Sequence, residues 1–214
     1  MATRLTTTSY CLLGLLNLRS FSAYELTKYM KRSALAELWP RTEAAIYREG
    51  SRLSDHGLVA ASTEQNGKRT RTIYCITPEG RAAFEAWLGE RGTPLTFECE
   101  VAAKAFFGDA GDIDTLRAHL VSVRNAFAAK AADMAPVIED WLEGDLAFPD
   151  RLQYTALTAD LISRVHEAAD SWAADWLERI EDWDETSLDA ASEAQAHDVI
   201  ADLGDVARTS EAFS

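Results

Sequence analysis

Apolar and polar positions recur with two different periods in the first 77 residues, and each period predicts a different kind of element. Spacings of three and four are typical of amphipathic helices. They predict three helices, over residues 7–18, 22–36 and 42–56. Two short runs rich in β-branched residues, 58–62 and 70–76, indicate strands, and the Asn66-Gly67 pair between them favours a tight hairpin turn. A helix followed directly by a hairpin with a basic tip predicts a winged helix.

The pattern beyond the hairpin changes to helices alone. A helix capped by Thr77, with Pro78 at its first position, is predicted as far as Leu88. The turn-rich segment Gly92-Thr93-Pro94 then marks a domain boundary. Apolar repeats at spacings of three and four predict a pair of long antiparallel helices, over residues 113–142 and 150–183.

These elements give the predicted organisation of the chain. We expect a winged-helix DNA-binding domain at residues 1–91, a helical domain at 92–185, and a weakly helical acidic tail at 186–214. The predicted fold class is mainly α with a small β-hairpin wing: an N-terminal winged helix-turn-helix followed by a C-terminal long-helix dimerisation domain.

The net charge of −14 conceals an electrostatic division of the chain. Residues 1–91 hold 13 basic and 9 acidic side chains, whereas residues 92–214 hold 8 basic and 26 acidic ones. Nucleic-acid affinity depends on the charge that locally faces the phosphates. The acidic total therefore does not exclude DNA binding by the first half, and an acidic second half also favours solubility.

Cysteine usage and hydropathy indicate the compartment. The three cysteines, Cys11, Cys75 and Cys99, are an odd number, lie far apart and form no CxxC pair, which favours a reducing environment over a disulfide framework. No apolar run approaches the roughly 18 residues that span a bilayer. We expect a cytoplasmic protein without a membrane partner.

Arginine recurs along one side of the helix predicted over residues 42–56. Offsets of four, three and four place on one line, opposite the apolar side of the helix, the residues Arg41, Ala45, Arg48 and Arg52. Arginine can bind the guanine edge in the major groove, but such a stripe is also typical of a solvated face paired with Glu49 or Asp55. Thr42 is the expected N-cap of this helix, and Tyr47 is either a core residue or a phosphate contact.

The tip of the hairpin carries further polar and basic groups. The predicted wing contacts are Asn66, Gly67, Lys68, Arg69 and Arg71. Basic groups on a wing suit phosphates or the minor groove, and such contacts position a protein without specifying a sequence. The wing and the arginine line together predict double-stranded DNA as a partner.

The second long helix carries a wide apolar stripe. Its members are Leu157, Leu161, Val165, Trp172, Trp176, Ile180 and Trp183. One helical hairpin cannot cover such stripes on both of its helices, so we expect homodimerisation to bury the remainder. Tryptophans could alternatively stack on a small effector, and the candidates for that role are Trp87, Trp141 and Trp172.

Catalytic signals are absent from the sequence. The four histidines are scattered, with no HExxH motif, no Cys/His cluster at zinc spacing and no phosphate-cradling glycine loop. We expect neither enzymatic activity nor a cofactor or metal. The alternative to a DNA-binding regulator is a protein-interaction module that retains a winged-helix scaffold without binding DNA.

The first half also resembles a known family. The likeness is carried, in order, by Leu13-Gly14-Leu15-Leu16, Ser22-Ala23-Tyr24-Glu25-Leu26, Trp39-Pro40, Ile46-Tyr47, Arg52-Leu53, Gly57-Leu58-Val59, Gly67, Arg71, Tyr74 and Thr77-Pro78-Glu79-Gly80-Arg81. These residues are similar to the PadR family of bacterial transcriptional regulators. The resemblance implies a winged helix, a helical dimerisation domain, repression of nearby genes through operator binding, and release by a small hydrophobic or aromatic molecule.

The sequence departs from the family pattern in the middle of the predicted reading helix. Ala44-Ala45 stands where a glycine and a hydroxyl residue are common, and Gly50 stands where a leucine is common. We therefore expect this helix to be less packed at Gly50. The flanking arginines and the wing are expected to carry more of the DNA binding than the helix centre.

Overall fold

A computed structural model describes residues 5–66 and 69–211 of the chain, without the side chains of residues 32, 66, 69, 210 and 211. It is mainly helical with one small antiparallel sheet, which confirms the predicted fold class. The first half contains α1 (Thr7–Leu18), β1 (Phe21–Ser22), α2 (Ala23–Arg32), α3 (Leu35–Leu38), α4 (Glu43–Asp55), β2 (Val59–Asn66), β3 (Arg69–Ile76) and α5 (Pro78–Leu88). The second half contains α6 (Glu100–Phe106), α7 (Ile113–Leu142), α8 (Leu152–Arg179) and α9 (Ala190–Glu211).

The chain divides into two compact units. One comprises Met1–Leu95 together with Thr155–Ile162 of α8, and the other comprises Thr96–Tyr154 and Ser163–Ser214. The domain boundaries expected after residues 91 and 185 stay a prediction. None of the described helices combines the length and the hydrophobicity that crossing a bilayer requires.

The winged helix is built by local signals that agree with one another. Thr6 and Ser9 form a capping box that begins α1, and Ser22 and Glu25 form another that begins α2. Each capping box satisfies backbone N–H groups that the first helical turn leaves without a partner. These helices bury a shared core whose fully enclosed members include Leu12, Leu13, Phe21, Leu26 and Leu53.

The sheet has the order β1-β3-β2. The hairpin register runs from Val59 opposite Ile76 to Asn66 opposite Arg69. Between the first two helices, Phe21 and Ser22 form the strand β1 and pair with Tyr74 and Ile73 of β3. Two residues are too few to show a period-2 pattern, so this strand depends on the tertiary partner and not on local sequence.

The helix expected over residues 22–36 is interrupted. Ser33 adopts an extended conformation and closes α2, its backbone N–H donating to the carbonyl of Tyr29. Its hydroxyl accepts a hydrogen bond from the backbone N–H of Leu35, 3.3 Å away. Serine competes with helical hydrogen bonding in this way, which explains the break between α2 and α3.

The bounds of one long helix match the prediction, and those of the other do not. α7 has the predicted bounds, whereas α8 ends at Arg179, before the predicted end at Trp183. The guanidinium of Arg117 on α7 donates to the carbonyls of Ile180, Glu181 and Trp183 at 3.0, 2.9 and 2.8 Å. These contacts hold the segment after α8 in a non-helical turn. α9 runs from Ala190 to Glu211, within the tail that was predicted to be weakly helical.

Candidate nucleic-acid interface

The fourth helix presents one side to the core and the other to solvent. The hydroxyl of Thr42 accepts a hydrogen bond from the backbone N–H of Ala45 at 3.2 Å and begins α4 as expected. Ile46, Gly50 and Leu53 are buried on the inner side. The residues exposed to solvent on the outer side are Ala44, Tyr47, Arg48 and Ser51. This outer stripe resembles the reading surface of a helix that enters the major groove.

Arg48 is the arginine of this helix whose guanidinium stays available. It is exposed, and it makes no hydrogen bond or ion pair with any described residue. Tyr47, beside it, is 41% exposed, so its ring does not belong to the core. Both side chains can therefore approach a ligand without first breaking a contact within the described part of the chain.

Arg52 points towards α1 and is held there. Its Nε and Nη2 atoms donate to the two carboxylate oxygens of Glu49 at 2.9 and 2.6 Å. Nη2 also donates to the hydroxyl of Ser9 at 2.9 Å, and Ser9, which is fully buried, donates in turn to Glu49. Arg52 is thus part of a hydrogen-bonded network between α1 and α4.

The same network determines the ionisation of Glu49. Burial alone would raise the pKa of this carboxyl, but hydrogen bonds from Arg52 and Ser9 outweigh burial and hold the pKa below its ordinary value. The hydrogen bond to Glu49 raises the pKa of Arg52. The pair is therefore a fixed ion pair at neutral pH.

Arg41 lies just before α4 and is fixed from a different direction. Its Nε donates to the hydroxyl of Thr8 at 3.2 Å, and Nη1 donates to the carbonyl of Pro40 at 2.6 Å. The guanidinium carbon lies 4.4 Å from the centre of the Trp39 ring, at the distance of a cation–π contact. Trp39 itself donates to Thr8 at 2.9 Å.

These groups surround a shallow, open depression of about 380 Å³. It is lined by Thr6, Thr8, Arg41, Ala45, Arg48, Glu49 and Arg52. The whole predicted arginine line is therefore brought to one concave surface. The contributions of Thr8, Ser9 and Glu49 were missed because two of them are buried and the third was assigned to a solvated face. The polar Thr6-Thr7-Thr8-Ser9 run at the start of α1 was the available signal.

The wing is described in part. The guanidinium of Arg71 on β3 donates to the carboxylate of Glu64 on β2 at 2.9 Å, and both side chains are exposed. Asn66 and Arg69 are paired through their backbones, as the last positions of the hairpin ladder. Gly67 and Lys68, the other predicted wing contacts, lie outside the described residues.

The expectation that α4 would be less packed at Gly50 is wrong. A Cβ atom at Gly50 would lie 3.3 Å from the ring of Tyr74, which is buried on β3. The aromatic ring occupies the space that a larger residue at this position would need. The middle of the helix is thus packed from the sheet.

The predicted dimerisation stripe falls into two environments. Leu157 and Leu161 are 69% and 47% exposed. Ile180 is buried in a cluster with Ile113, Leu120 and Ala173, and the tryptophans that pack against this cluster are Trp172, Trp176 and Trp183. Val165, between the two environments, is half-buried. The C-terminal part of the stripe therefore contacts α7 of its own chain.

The three candidate effector tryptophans belong to two compact units, Trp87 to the first and Trp141 and Trp172 to the second. Trp87 stacks in parallel on Tyr10 with ring centres 4.7 Å apart and lies in the first compact unit. Trp141 is half-buried, and Trp172 packs against the cluster around Ile113 and Ile180. The part of the chain that the structure covers also contains no group of three or more acidic, histidine or cysteine residues placed to hold a metal ion.

A winged helix with an exposed arginine on its fourth helix is typical of DNA-binding proteins. Comparison with known proteins gives the family: residues 12–86 match the transcriptional regulator PadR-like family. A probable transcriptional regulator of Mycobacterium tuberculosis is 29% identical over 170 residues, which cover 74% of this chain and 87% of the relative. The negative transcriptional regulator PadR of Bacillus subtilis is 32% identical over 100 residues, covering 46% of this chain and 54% of the relative.

Solved structures share this fold. The complex of Bacillus subtilis PadR with operator DNA has a TM-score of 0.69 at 22% identity, covering 82% of this chain and 99% of the other. The complex of the same protein with p-coumaric acid has a TM-score of 0.64 at 22% identity, covering 83% and 100%. The chain therefore carries a PadR-like transcriptional regulator domain over residues 12–86, and the PadR structures share its fold.

Proposed function

We propose that the protein is a homodimeric repressor that places α4 in the major groove of an inverted-repeat operator. The single observation that carries this proposal is the outer stripe of α4, on which Arg48 is exposed and without a partner among the described residues. A guanidinium in that position can make two hydrogen bonds to a guanine edge. Repression is supported by the similarity to a negative transcriptional regulator.

Dimerisation would be provided by the apolar side chains that one chain leaves uncovered. Leu157 and Leu161 of α8 are exposed although they continue the stripe that Ile180 and the tryptophans bury. A second copy of the chain is the simplest partner for such a surface, since most soluble oligomers are symmetric. Two copies would present their α4 helices about 34 Å apart, one turn of the duplex.

A small aromatic molecule is proposed as the effector that releases the operator. The similarity to a protein solved with p-coumaric acid supports this class of ligand. Trp87, Trp141 and Trp172 stay the candidate contacts, and Trp87 offers a flat ring already stacked on Tyr10. The effector would act by favouring one of two arrangements of the dimer.

A gel-shift titration on the DNA upstream of the protein's own gene tests the DNA-binding proposal. Arg48→Ala should weaken specific binding about tenfold or more and relax the base preference, because a bidentate contact to guanine discriminates by roughly 1–3 kcal/mol. Arg124→Ala is the matched control, since Arg124 is exposed on α7 and paired with Asp170.

The gel-shift result distinguishes a DNA-binding regulator from a protein-interaction module that does not bind DNA. A wild-type protein that forms no specific complex at low salt, with Arg48→Ala behaving identically, would leave the interaction module without DNA binding as the correct interpretation. For the effector, adding p-coumaric acid to the preformed complex should release free DNA. An unchanged complex at saturating ligand would rule out this aromatic acid.

A further inference from the structure

The depression beside α4 has a charge and a shape that the base-reading role of Arg48 does not explain. Its lining contains three guanidiniums and one carboxylate, so it is net positive. It is open towards solvent and continuous with the outer stripe of α4, because Arg48 belongs to both surfaces. A surface of this kind can take an anion that belongs to a long polymer passing alongside the helix.

Two of the three arginines are held in place by the protein. The Nε and Nη1 atoms of Arg41 donate to Thr8 and Pro40. The Nε and Nη2 atoms of Arg52 donate to Glu49 and Ser9. Each guanidinium therefore keeps one terminal nitrogen, Nη2 of Arg41 and Nη1 of Arg52, without a hydrogen bond to the described residues. Fixed donors of this kind lose little freedom when they bind an anion.

Glu49 is part of the frame, meaning the side chains that hold Arg41 and Arg52 in place, and its carboxylate does not occupy the anion site. Both of its carboxylate oxygens are engaged, one by Arg52 and the other by Arg52 and Ser9. Thr8, whose hydroxyl accepts hydrogen bonds from Trp39 and Arg41, is likewise part of the support. The first turn of α1, a helix of 12 residues that begins at this depression, adds a positive helix end.

We propose that this depression is a clamp for one backbone phosphate of the operator, held by Arg41 and Arg52, which leaves Arg48 to read a base. The inference rests on the proposed DNA binding and assigns two roles within it. Arg41 and Arg52, which the fold holds in place, bind the backbone, and Arg48, which is exposed and has no partner among the described residues, reads the sequence. Phosphate contacts of this type set the register of a protein on the duplex but carry no base preference.

Operator duplexes with a single neutral methylphosphonate in place of one phosphate test the clamp. We expect one position in each half-site at which the substitution lowers wild-type affinity about tenfold. At that position the substitution should have little further effect on Arg41→Gln. The salt slope of Arg41→Gln should fall by about one unit with unchanged base preference. Arg48→Ala should keep the methylphosphonate sensitivity while its base preference relaxes.

Two controls make the result decisive. Arg91→Gln, a change at an exposed arginine beyond α5, should retain the wild-type sensitivity. An unfolding midpoint of Arg41→Gln close to that of the wild type shows that the frame is intact. If no methylphosphonate position loses its effect in Arg41→Gln while the wild type binds the operator normally, the clamp is wrong and the proposed function stands.

A free anion is the other source of the same chemistry. If inorganic phosphate raises the unfolding midpoint of the wild type but not that of Arg41→Gln, while no methylphosphonate position depends on Arg41, the depression is a site for a small phosphate and the operator clamp is overturned. A methylphosphonate position whose effect depends on Arg41 supports the backbone phosphate. A wild type without operator binding would remove the proposed function and the clamp together.

Discussion

The winged-helix region and the helical region bury their apolar residues in different ways. α1, α2, α4 and the sheet enclose side chains such as Leu12, Leu13 and Phe21 almost completely. In the region from α6 onwards, the buried hydrophobic residues among those described are Ile113, Leu120, Ala173 and Ile180. The helical region leaves large apolar side chains exposed, including Phe106, Phe107, Leu142, Tyr154, Leu157, Leu161, Ile200, Leu203 and Val206.

This difference follows from the kind of elements in each region. Short helices and a sheet surround a core from several directions, whereas a helix in a pair buries only the stripe that faces its neighbour. The winged-helix region therefore buries a core between its helices and its sheet. The helical region exposes more large apolar side chains, and the proposed dimer depends on that surface.

The largest effect on stability is expected from adding a side chain at Gly80, where α5 lies against the backbone of Leu58. A Cβ atom at Gly80 would lie 2.0 Å from the carbonyl oxygen of Leu58, so Gly80→Ala must move α5 away from the loop before β2. We expect the free energy of unfolding to fall by about 3 kcal/mol, measured by urea denaturation. Gly92→Ala, where no atom lies within 4 Å of the added Cβ, should change it little. Equal midpoints for the two variants would show that this contact is not tight.

The next effect should come from the exposed stripe of the helical region. Leu157→Asp combined with Leu161→Asp places two charges on the surface proposed to meet the second copy. We expect a monomer of 23.6 kDa by light scattering, and operator affinity about 100-fold weaker, because the two half-sites are then bound independently. Leu88→Asp, at a similarly exposed leucine of α5, is the control. A double variant that stays dimeric would place the interface elsewhere.

A smaller effect is expected inside the helical region. Arg117 binds three carbonyls after α8, whereas Arg124 makes an exposed ion pair with Asp170 at 3.1 Å. Arg117→Ala should lower the free energy of unfolding by about 2 kcal/mol, because hydrogen bonds to a charged group are lost. Arg124→Ala should cost about 0.5 kcal/mol or less. Similar losses in thermal unfolding would mean that the carbonyl contacts contribute no more than a surface pair.

The smallest effect concerns acid stability of the winged-helix region. Glu49 has a lower pKa in the folded protein than in the unfolded chain. The unfolded state therefore binds a proton first, and the stabilisation is present above about pH 4.3 and is lost as the pH falls through the folded pKa. Glu49→Gln should flatten the decline in stability below that pH. Urea midpoints at pH 7 and pH 3.5 measure it, and identical slopes for both proteins would contradict the assignment.

The regular elements were largely predictable because their signals are local. Thr42, the Ser22-Glu25 capping box and the apolar repeat of α7 each specify structure through residues three or four positions apart. The break at Ser33 and the short strand β1 were missed. The first depends on one side chain competing for a backbone group, and the second depends on pairing of Phe21 and Ser22 with Tyr74 and Ile73 of β3, which lie far away in the chain.

The candidate interface was predictable as a set of residues but not as a set of roles. The spacing of Arg41, Arg48 and Arg52 correctly brought them to one surface. Spacing alone could not show that Arg52 turns to Ser9, because Ser9 lies 43 residues away in sequence. The stripe on α8 was likewise predictable as apolar, but the division between its exposed and buried parts was not.

The sequence by itself determined the periodic elements, the caps, the resemblance to PadR regulators and the basic character of α4, since each of these depends on residue type and on neighbours along the chain. The tertiary structure decided which arginines are fixed and which is available, which part of the tryptophan stripe is already covered, and why a glycine suits the middle of α4. Those properties depend on contacts between residues far apart in the chain: Arg52 with Ser9, Trp172 with the helix that carries Ile113, and Gly50 with Tyr74. Packing and hydrogen bonding at such distances arise only when the elements assemble.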